Sequence, residues 1–229
     1  MTLSLLLSVP HAGLTIPSGV ENLCLLTQKE IIQDGDEGAA EIYFPLQDRV
    51  FALVTTTAAR AIVDMNRAED DRRKDGVIKT HTCWDVQIYR EPPLETLITE
   101  LLKIYYKPYH ASLTKYARHV KCGIDCHTMA AQGPPVGPDP GEERPAICIS
   151  NADGTFPKGW VTTLADCLEK VFEKDVSINH PFKGGYVIRS HAKELPWIQL
   201  ELSRAPFFSN QEKSLRILEA LKDWCKQLP

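Results

Sequence analysis

The chain has 229 residues, of which 43% are hydrophobic and 24% charged, and its formal net charge is −4. This balance is typical of a soluble globular protein, and it argues against a general nucleic-acid backbone binder, which would carry a basic stripe. No apolar run approaches the ~18 residues of a membrane span, and the seven cysteines, with no C-x-x-C pair, argue against a disulfide framework.

The first predicted element is a buried strand over residues 3–9, which ends at Pro10 and is followed by His11. This run has no basic segment before it and no small-residue cleavage site after it, so it does not resemble a secretory signal. We therefore expect a cytoplasmic protein. His11 is either a turn residue without a chemical role or a metal ligand held at the end of a strand.

The next segments predict two short helices and two strands. The sequence TQKE at 27–30 has the spacing of a capping box, and this helix should end near Gly35. Asp36 is then expected to cap a second helix. Its predicted apolar face consists of Ala39, Ala40, Tyr43 and Leu46. The β-rich runs at 51–58 and 60–66 predict a hairpin or two adjacent strands.

The rest of the chain continues to alternate between helices and strands, which favours an α/β fold in one domain over 1–229. A polar loop at 66–85 precedes a long helix at about 94–120, which Pro108 should bend. Further predicted strands span 122–127, 146–150, 184–191 and 197–204, and amphipathic helices span 157–173 and 209–226. Residues 128–145, with five prolines and three glycines, form a long loop of the kind that is usually functional or disordered.

Four polar residues are candidates for a site, and three of them should project at or near the predicted carboxyl ends of strands, where α/β proteins build their sites. His11, Asp36 and His127 could form a His–carboxylate–His zinc set with one position open for water. Glu201 lies in an apolar strand, where a carboxylate is costly to bury unless it is paired or functional, and it could act as a general base. The alternatives are a helix cap for Asp36 and a solvated edge-strand charge for Glu201.

Other polar residues suggest how such a site could be supported. Asp125 alternates with Cys126 along the strand and so faces the same side as His127, which it could orient. Asn66 and Arg67 follow a predicted strand, and Arg189 lies on another. Arginine can bind a carboxylate through two parallel hydrogen bonds, although a local salt bridge with Glu69, Asp70 or Asp71 is a simple alternative for Arg67.

Six motifs occur in the order found in N-formylglutamate amidohydrolases, which the chain resembles from about residue 8 to residue 205. They are SVPHAG, DMNRAEDD, YKPYHASL, DCHTM, NHPFKGGYVIR and IQLELS. The resemblance implies a three-layer α/β/α fold with a mixed central sheet, phosphorylase/hydrolase-like and akin to zinc carboxypeptidases. It also implies a zinc-dependent hydrolase that converts N-formyl-L-glutamate to formate and L-glutamate.

The resemblance also assigns roles to individual residues. His11 and His127 match the histidine ligands of zinc, and Glu201 matches the general base. Asn66 and Arg67 resemble a pair that holds the substrate carboxylate, and Arg189 would be a second anion contact or an oxyanion stabiliser. Carboxypeptidases use a His-x-x-Glu pair, but Leu14 stands at that position here. We therefore expect Asp36 to be the third ligand, with Glu37 as the alternate.

The expected protein is thus a zinc-dependent amidohydrolase acting on a small N-acyl amino acid, with the loop 128–145 shaping or covering its pocket. Two alternatives remain at this point. One is a zinc peptidase or amidase acting on a short peptide or a cell-wall amide. The other is a non-catalytic binding domain that retains the fold. No nucleic-acid or membrane partner is expected, and the sequence does not predict the oligomeric state.

Overall fold

A mixed sheet of six strands organises the structure, a computed structural model that describes residues 2–228. The strands are β1 (Leu3–Val9), β2 (Val50–Thr55), β3 (Cys122–Met129), β4 (Ile147–Ser150), β5 (Val176–Ile178) and β6 (Trp197–Ser203). Their order across the sheet is β2-β1-β3-β6-β4-β5. The first four strands in this order are parallel, and β4 is antiparallel to β6 but parallel to β5. The predicted α/β fold with a mixed central sheet is confirmed.

Helices cover both faces of the sheet. One face packs against α2 (Ala39–Tyr43), α5 (Lys158–Phe172) and α7 (Asn210–Cys225). The other packs against α1 (Gln28–Asp34), α3 (Glu95–Leu101), α4 (Lys107–Ala117) and α6 (Tyr186–Ser190). Leu5 and Leu7 of β1 belong to the first core and Leu6 belongs to the second, because successive side chains of a strand point to opposite faces. A strand that is covered on both faces has apolar side chains pointing both ways, which explains the continuous apolar run over residues 3–9.

The predicted helix starts are present where side chains cap them. Thr27 and Glu30 form a capping box at the start of α1, and Ser209 forms another with Glu212 at the start of α7. The long helix predicted at 94–120 is divided into α3, a π-helical turn over Leu102–Tyr106, and α4. The π-helical turn directly precedes Pro108, whose missing N–H and bulky ring interrupt the regular hydrogen-bond ladder.

Two predicted strands are wrong. Residues 60–66 form turns instead of a strand, with the N–H groups of Ile62 and Val63 bonded to the carbonyl of Ala59. This segment is entirely buried except for its first residue, and a short buried apolar run cannot be assigned to a strand by periodicity alone. Residues 184–191 likewise form a turn and the short helix α6, because the sheet position beside β6 is occupied by β4.

One further prediction is wrong, and one strand was not predicted. Asp36 does not cap α2; the N-cap is Gly38, in the left-handed conformation, and the carboxylate of Asp36 turns towards two histidines instead. The edge strand β5 was not predicted, because its three residues are too short to show a pattern. None of the described helices is long and apolar enough to cross a membrane.

Candidate metal centre and active site

The site lies where the carboxyl ends of β1, β3 and β6 meet. His11 lies two positions after Val9, the last residue of β1. His127 lies near the end of β3, where it is the register partner of Glu201 on β6. Parallel neighbours place these residues at one edge of the sheet, as the sequence predicted. The loop between α1 and α2 brings Asp36 to the same edge, since its N–H donates to the carbonyl of His11.

Three buried side chains converge at this edge. His11 Nδ1 lies 3.5 Å from Asp36 Oδ1, and His127 Nδ1 lies 2.9 Å from Asp36 Oδ2. One potential ligand atom of each residue lies within 4.8 Å of those of the other two. The structure therefore brings His11, Asp36 and His127 together, whereas the side chain of the alternate Glu37 is exposed.

A further carboxylate contacts the Nε2 atom of each histidine ring. His11 Nε2 lies 2.8 Å from Asp64 Oδ1, and His127 Nε2 lies 2.9 Å from Asp125 Oδ2. Each of these carboxylates accepts the Nε2 proton of its histidine, so the Nδ1 atoms, which face Asp36, are the ones that would ligate a metal ion. The contact predicted for Asp125 is present. Asp64 was missed, although a carboxylate ending an apolar run was a usable signal.

A metal ion fits this donor set. His11 Nδ1 is buried and has no hydrogen-bond partner among the described residues, and a buried polar atom without a partner is normally costly. Two imidazole nitrogens and one carboxylate are ligands of catalytic zinc sites, which keep a fourth position open. The unpartnered nitrogen and the outer carboxylates together have the form of a metal centre with oriented ligands.

Charge balance at this centre favours ionised carboxylates. Burial opposes the charged form of Asp36, but His11 and His127 hold its pKa well below the usual range. Burial likewise opposes the charged form of Asp64, while His11, Lys79 and Arg60 hold its pKa well below the usual range. Both carboxylates are thus anionic at neutral pH, as a cation site requires.

Glu201 lies beside His127 on the same face of the sheet. Its Oε1 accepts a hydrogen bond of 2.7 Å from Gln199 Nε2, and the amide oxygen of Gln199 accepts from the N–H of Gly185. Burial raises the pKa of Glu201 above the usual range for a carboxylate. Glu201 is therefore not the solvated edge-strand charge that the sequence also allowed, because β6 is a central strand.

A cavity of about 470 Å³ opens onto these groups. Its wall includes His11, Asp36, His127 and Glu201. It also includes six cationic side chains, which are Arg60, Arg67, Lys79, Arg144, Lys183 and Arg204. Several of these cations are paired with carboxylates: Lys79 with Asp34 at 3.2 Å, Arg144 with Asp139 at 2.7 Å, Arg60 with Asp64 at 3.3 Å and Arg67 with Asp75 at 3.3 Å. The lining also includes Asp34 and Asp75, and its six cationic side chains outnumber its four carboxylates, which favours a small anionic ligand.

The predicted carboxylate-binding residues have different positions. Arg67 lines the cavity, and its guanidinium is held from one side by the backbone oxygen and carboxylate of Asp75 at 2.8 and 3.3 Å. Asn66 also lines the cavity but is buried, donating to Asp125 and accepting from the N–H of Val187. Arg67 thus pairs with Asp75 and not with Glu69, Asp70 or Asp71, the partners considered from the sequence.

Arg189 is not brought to this cavity. It lies on α6, is exposed, and donates to the backbone oxygens of Gly184 and Lys183 at 3.2 and 3.4 Å. Other arginines approach the cluster: Arg60 NH1 lies 3.9 Å and Arg204 NH2 lies 3.8 Å from Asp36 Oδ1. Sequence reasoning had not singled out either of them.

The paired glycines before α6 allow a close approach of the backbone. Gly184 has a φ of 103°, a region that other residues rarely adopt. A Cβ atom on Gly185 would lie 2.3 Å from Asn66 Nδ2. The backbone at Gly185 therefore approaches a side chain of the site closely.

The segment 128–145, whose first two residues are the end of β3 and whose remainder is the predicted loop, forms one wall of the cavity and is internally braced. Seven of its residues besides Thr128 contribute to the lining, which are Met129, Ala130, Pro134, Val136, Gly137, Pro138 and Arg144. The guanidinium of Arg144 makes two hydrogen bonds of 2.7 Å with Asp139 and lies 4.8 Å from the ring centre of Phe182. Val136 also donates to the carbonyl of Cys83, which attaches the loop to the opposite wall.

Comparisons with known proteins identify the family that the sequence matches. The sequence model of the N-formylglutamate amidohydrolase family matches residues 3–207. N-formylglutamate deformylase of Pseudomonas putida is 23% identical over 230 residues, covering 92% of this chain and 84% of that protein.

Two solved structures share the fold. The N-formylglutamate amidohydrolase from Ralstonia eutropha JMP134 superposes with a TM-score of 0.77 at 19% identity, covering 99% of this chain and 96% of that one. A gene product from Agrobacterium tumefaciens superposes with a TM-score of 0.72 at 19% identity, covering 98% of this chain and 88% of that one.

Proposed function

The chain belongs to the N-formylglutamate amidohydrolase family, and we propose that it hydrolyses the formyl amide of N-formyl-L-glutamate with zinc as cofactor. Water adds to the formyl carbon, the carbon–nitrogen bond breaks, and formate and L-glutamate are released. The observation that carries this proposal is the convergence of His11, Asp36 and His127 beside the buried Glu201, in a cavity lined by cations.

We assign zinc to the cluster of His11, Asp36 and His127. Bound there, zinc would supply a Lewis acid that polarises a carbonyl oxygen and lowers the pKa of a water molecule. Asp64 and Asp125 keep the Nε2 protons of the two rings, so that both Nδ1 atoms are available as ligands. The unpartnered His11 Nδ1 and the anionic Asp36 support this assignment.

Glu201 is the proposed general base. Its carboxylate accepts a proton from the water that attacks the formyl carbon and then donates that proton to the leaving nitrogen. The hydrogen bond from Gln199 restrains Oε1. Burial raises the pKa of Glu201, which favours return of the proton to the amine in the second half of the reaction.

Arg67 is the proposed anchor for a substrate carboxylate. Asp75 holds the guanidinium by one side only, and the residue lines the cavity, so the remaining N–H groups can bind a carboxylate. Asn66 then serves as a brace, because both ends of its amide are already bonded within the protein. Lys183, an exposed cation on the cavity lining, is the proposed contact for the second carboxylate of the substrate.

We assign stabilisation of the developing oxyanion to Arg60 in place of Arg189. Arg60 lines the cavity, where Asp64 and the carbonyl of Asp34 hold its Nε and NH1 groups, and NH1 lies 3.9 Å from a carboxylate oxygen of the metal centre. Arg189 is exposed and lies outside the lining. A fixed cation that faces the reacting carbonyl stabilises charge as it forms in the transition state.

An activity assay with a defined substrate panel tests the proposal. We expect the purified chain to release formate from N-formyl-L-glutamate faster than from N-formyl-L-alanine, and to cleave N-acetyl-L-glutamate and dipeptides poorly. Chelation should abolish the activity and added Zn²⁺ should restore it. Preferential cleavage of dipeptides would favour a peptidase instead, and failure to cleave any amide despite stoichiometric zinc would favour a non-catalytic domain.

A further inference from the structure

The motif YKPYHASL has no role in the proposed reaction, yet the hydroxyl of one of its tyrosines is hydrogen-bonded to residues that support His127. Tyr109 of α4 is buried, and its hydroxyl lies 2.6 Å from the hydroxyl of Ser8 on β1. Ser8 Oγ donates to Asp125 Oδ1 at 2.6 Å, and Asp125 Oδ2 lies 2.9 Å from His127 Nε2. These contacts form one continuous chain of hydrogen bonds, which we call the Tyr109 relay.

The direction of each hydrogen bond in the Tyr109 relay follows from the groups present. The Asp125 carboxylate can only accept, so the single proton of Ser8 is directed towards it. Ser8 must then accept from Tyr109, and burial raises the pKa of Tyr109 well above its usual value, so that the phenol keeps its proton. At the other end, Asp125 accepts the Nε2 proton of His127 and leaves Nδ1 as the ligand atom.

The positions of these residues are not explained by packing alone. Ser8 lies in a strand whose neighbours Leu6, Leu7 and Val9 are completely buried, where an aliphatic residue would pack without any need for a hydrogen-bond partner. Ser8 is also the register partner of Asp125, so the sheet itself sets the two groups side by side. By contrast, the buried hydroxyl of Tyr89 has no hydrogen-bond partner among the described residues.

We propose that Tyr109 and Ser8 are positioning residues that hold Asp125 as the acceptor for His127 and thereby present His127 Nδ1 to the metal ion. This inference rests on the proposed metal centre. Without the hydroxyl of Ser8, the buried Asp125 would lose the only donor to its Oδ1 atom among the described residues. The carboxylate would then be held less firmly as the acceptor of the His127 Nε2 proton. The effect of Tyr109 is smaller because it acts through Ser8.

The dissociation constant of Zn²⁺, measured on the full chain by competition with a chelator, tests the Tyr109 relay. We expect Ser8→Ala to weaken zinc binding about tenfold and Tyr109→Phe about threefold, in line with other partners of metal ligands. Tyr89→Phe is the matched control, since it removes a buried hydroxyl that has no hydrogen-bond partner, and its dissociation constant should equal that of the wild type.

A second readout separates positioning from general loss of structure. In zinc-loaded protein labelled with ¹⁵N-histidine, the Nε2 proton of His127 should exchange faster in both relay variants. The Nε2 proton of His11, held by Asp64, should be unchanged. Tyr109→Phe removes one oxygen atom only and keeps the measurement possible if Ser8→Ala fails to fold.

The outcomes of these experiments distinguish a failure of the Tyr109 relay from a failure of the proposed metal centre. Weaker zinc binding in the order Ser8→Ala, Tyr109→Phe, Tyr89→Phe, with a change confined to His127, supports it. Dissociation constants equal to that of the wild type, or an equal loss of both histidine signals, overturn it while leaving the metal centre in place. Failure of the wild type itself to bind Zn²⁺ overturns the proposed metal centre and the relay together.

Discussion

At the scale of single residues, Glu201 shows how burial and chemistry are connected. It is 6% exposed on a central strand, and Gln199 is its only hydrogen-bond donor among the described residues. A carboxylate in such a position destabilises the fold unless a nearby cation or a reaction requires it. The proposed metal ion on the neighbouring His127 would supply that positive charge.

Glu201→Gln should retain zinc and lose turnover. The amide preserves the shape of the side chain but cannot accept a proton, so we expect kcat to fall about 10²–10⁴-fold. Metal content by mass spectrometry and steady-state kinetics on the same preparation measure the two effects. Normal turnover in this variant would remove Glu201 from the mechanism.

Arg67→Ala should impair substrate binding more than the chemical step. Loss of a charge-assisted contact with a substrate carboxylate should raise KM about 10–100-fold, with a smaller change in kcat. Arg189→Ala is the matched control, because it removes the same group from an exposed position outside the cavity. If Arg189→Ala raises KM and Arg67→Ala does not, the assignment is reversed.

At the scale of elements, α4 reinforces the site from two adjacent positions. Tyr109 reaches Ser8, and His110 Nε2 donates to the backbone oxygen of Met65 at 3.0 Å, in the segment that carries Asp64. The other ring nitrogen of His110, Nδ1, lies 2.9 Å from His191 Nε2, and the two rings are nearly coplanar. The helix therefore fixes both the β1 side and the 60–66 side of the site.

His110 should make the stability of the fold sensitive to mild acid. Burial, followed by the neighbouring His191, lowers the pKa of His110 to about 4. The unfolded chain, with an ordinary histidine pKa of about 6.5, binds more protons between these values, so stability falls as the pH decreases from 6.5 to 4. The loss should reach at most about 3 kcal/mol.

Urea unfolding at pH 7.0 and pH 4.5 measures this effect. His110→Gln should show a smaller difference in unfolding free energy between the two pH values than the wild type. His119→Gln, which changes an exposed histidine that follows the same helix, should behave as the wild type does. An unchanged pH dependence in His110→Gln would contradict the prediction.

At the scale of the whole molecule, the proposed metal ion joins segments that are far apart in the chain. Its ligands come from the end of β1, the loop before α2 and the end of β3. We propose that the chain forms one domain, because β3 precedes the loop 128–145 while its neighbour β6 follows it. A ligand that binds only the folded arrangement stabilises it by mass action.

Removal of metal should therefore lower the melting temperature by roughly 5–10 °C for a chain of this size. Thermal unfolding with excess Zn²⁺ and with chelator measures the shift. His127→Ala should lose the zinc-dependent shift, and His119→Gln should keep it. A shift of equal size in His127→Ala would place the stabilising zinc elsewhere.

The sequence by itself determined the elements that depend on short-range patterns. The capping box at Thr27 and the apolar run of β1 predicted where those elements begin, since their signals lie within a few residues. Together with the family motifs, the same local reading identified His11, Asp36, His127 and Glu201 as candidates.

Only the tertiary structure decided which of these groups meet. The order of strands brings β1, β3 and β6 together and buries Asp36 against both histidines, although the sequence predicted a helix cap there. The tertiary structure also places Asp64 beside His11 and Arg189 outside the cavity. The physical reason is that local patterns report hydrogen bonding and burial within one segment, whereas contacts between residues 53 to 117 positions apart depend on how the sheet is assembled.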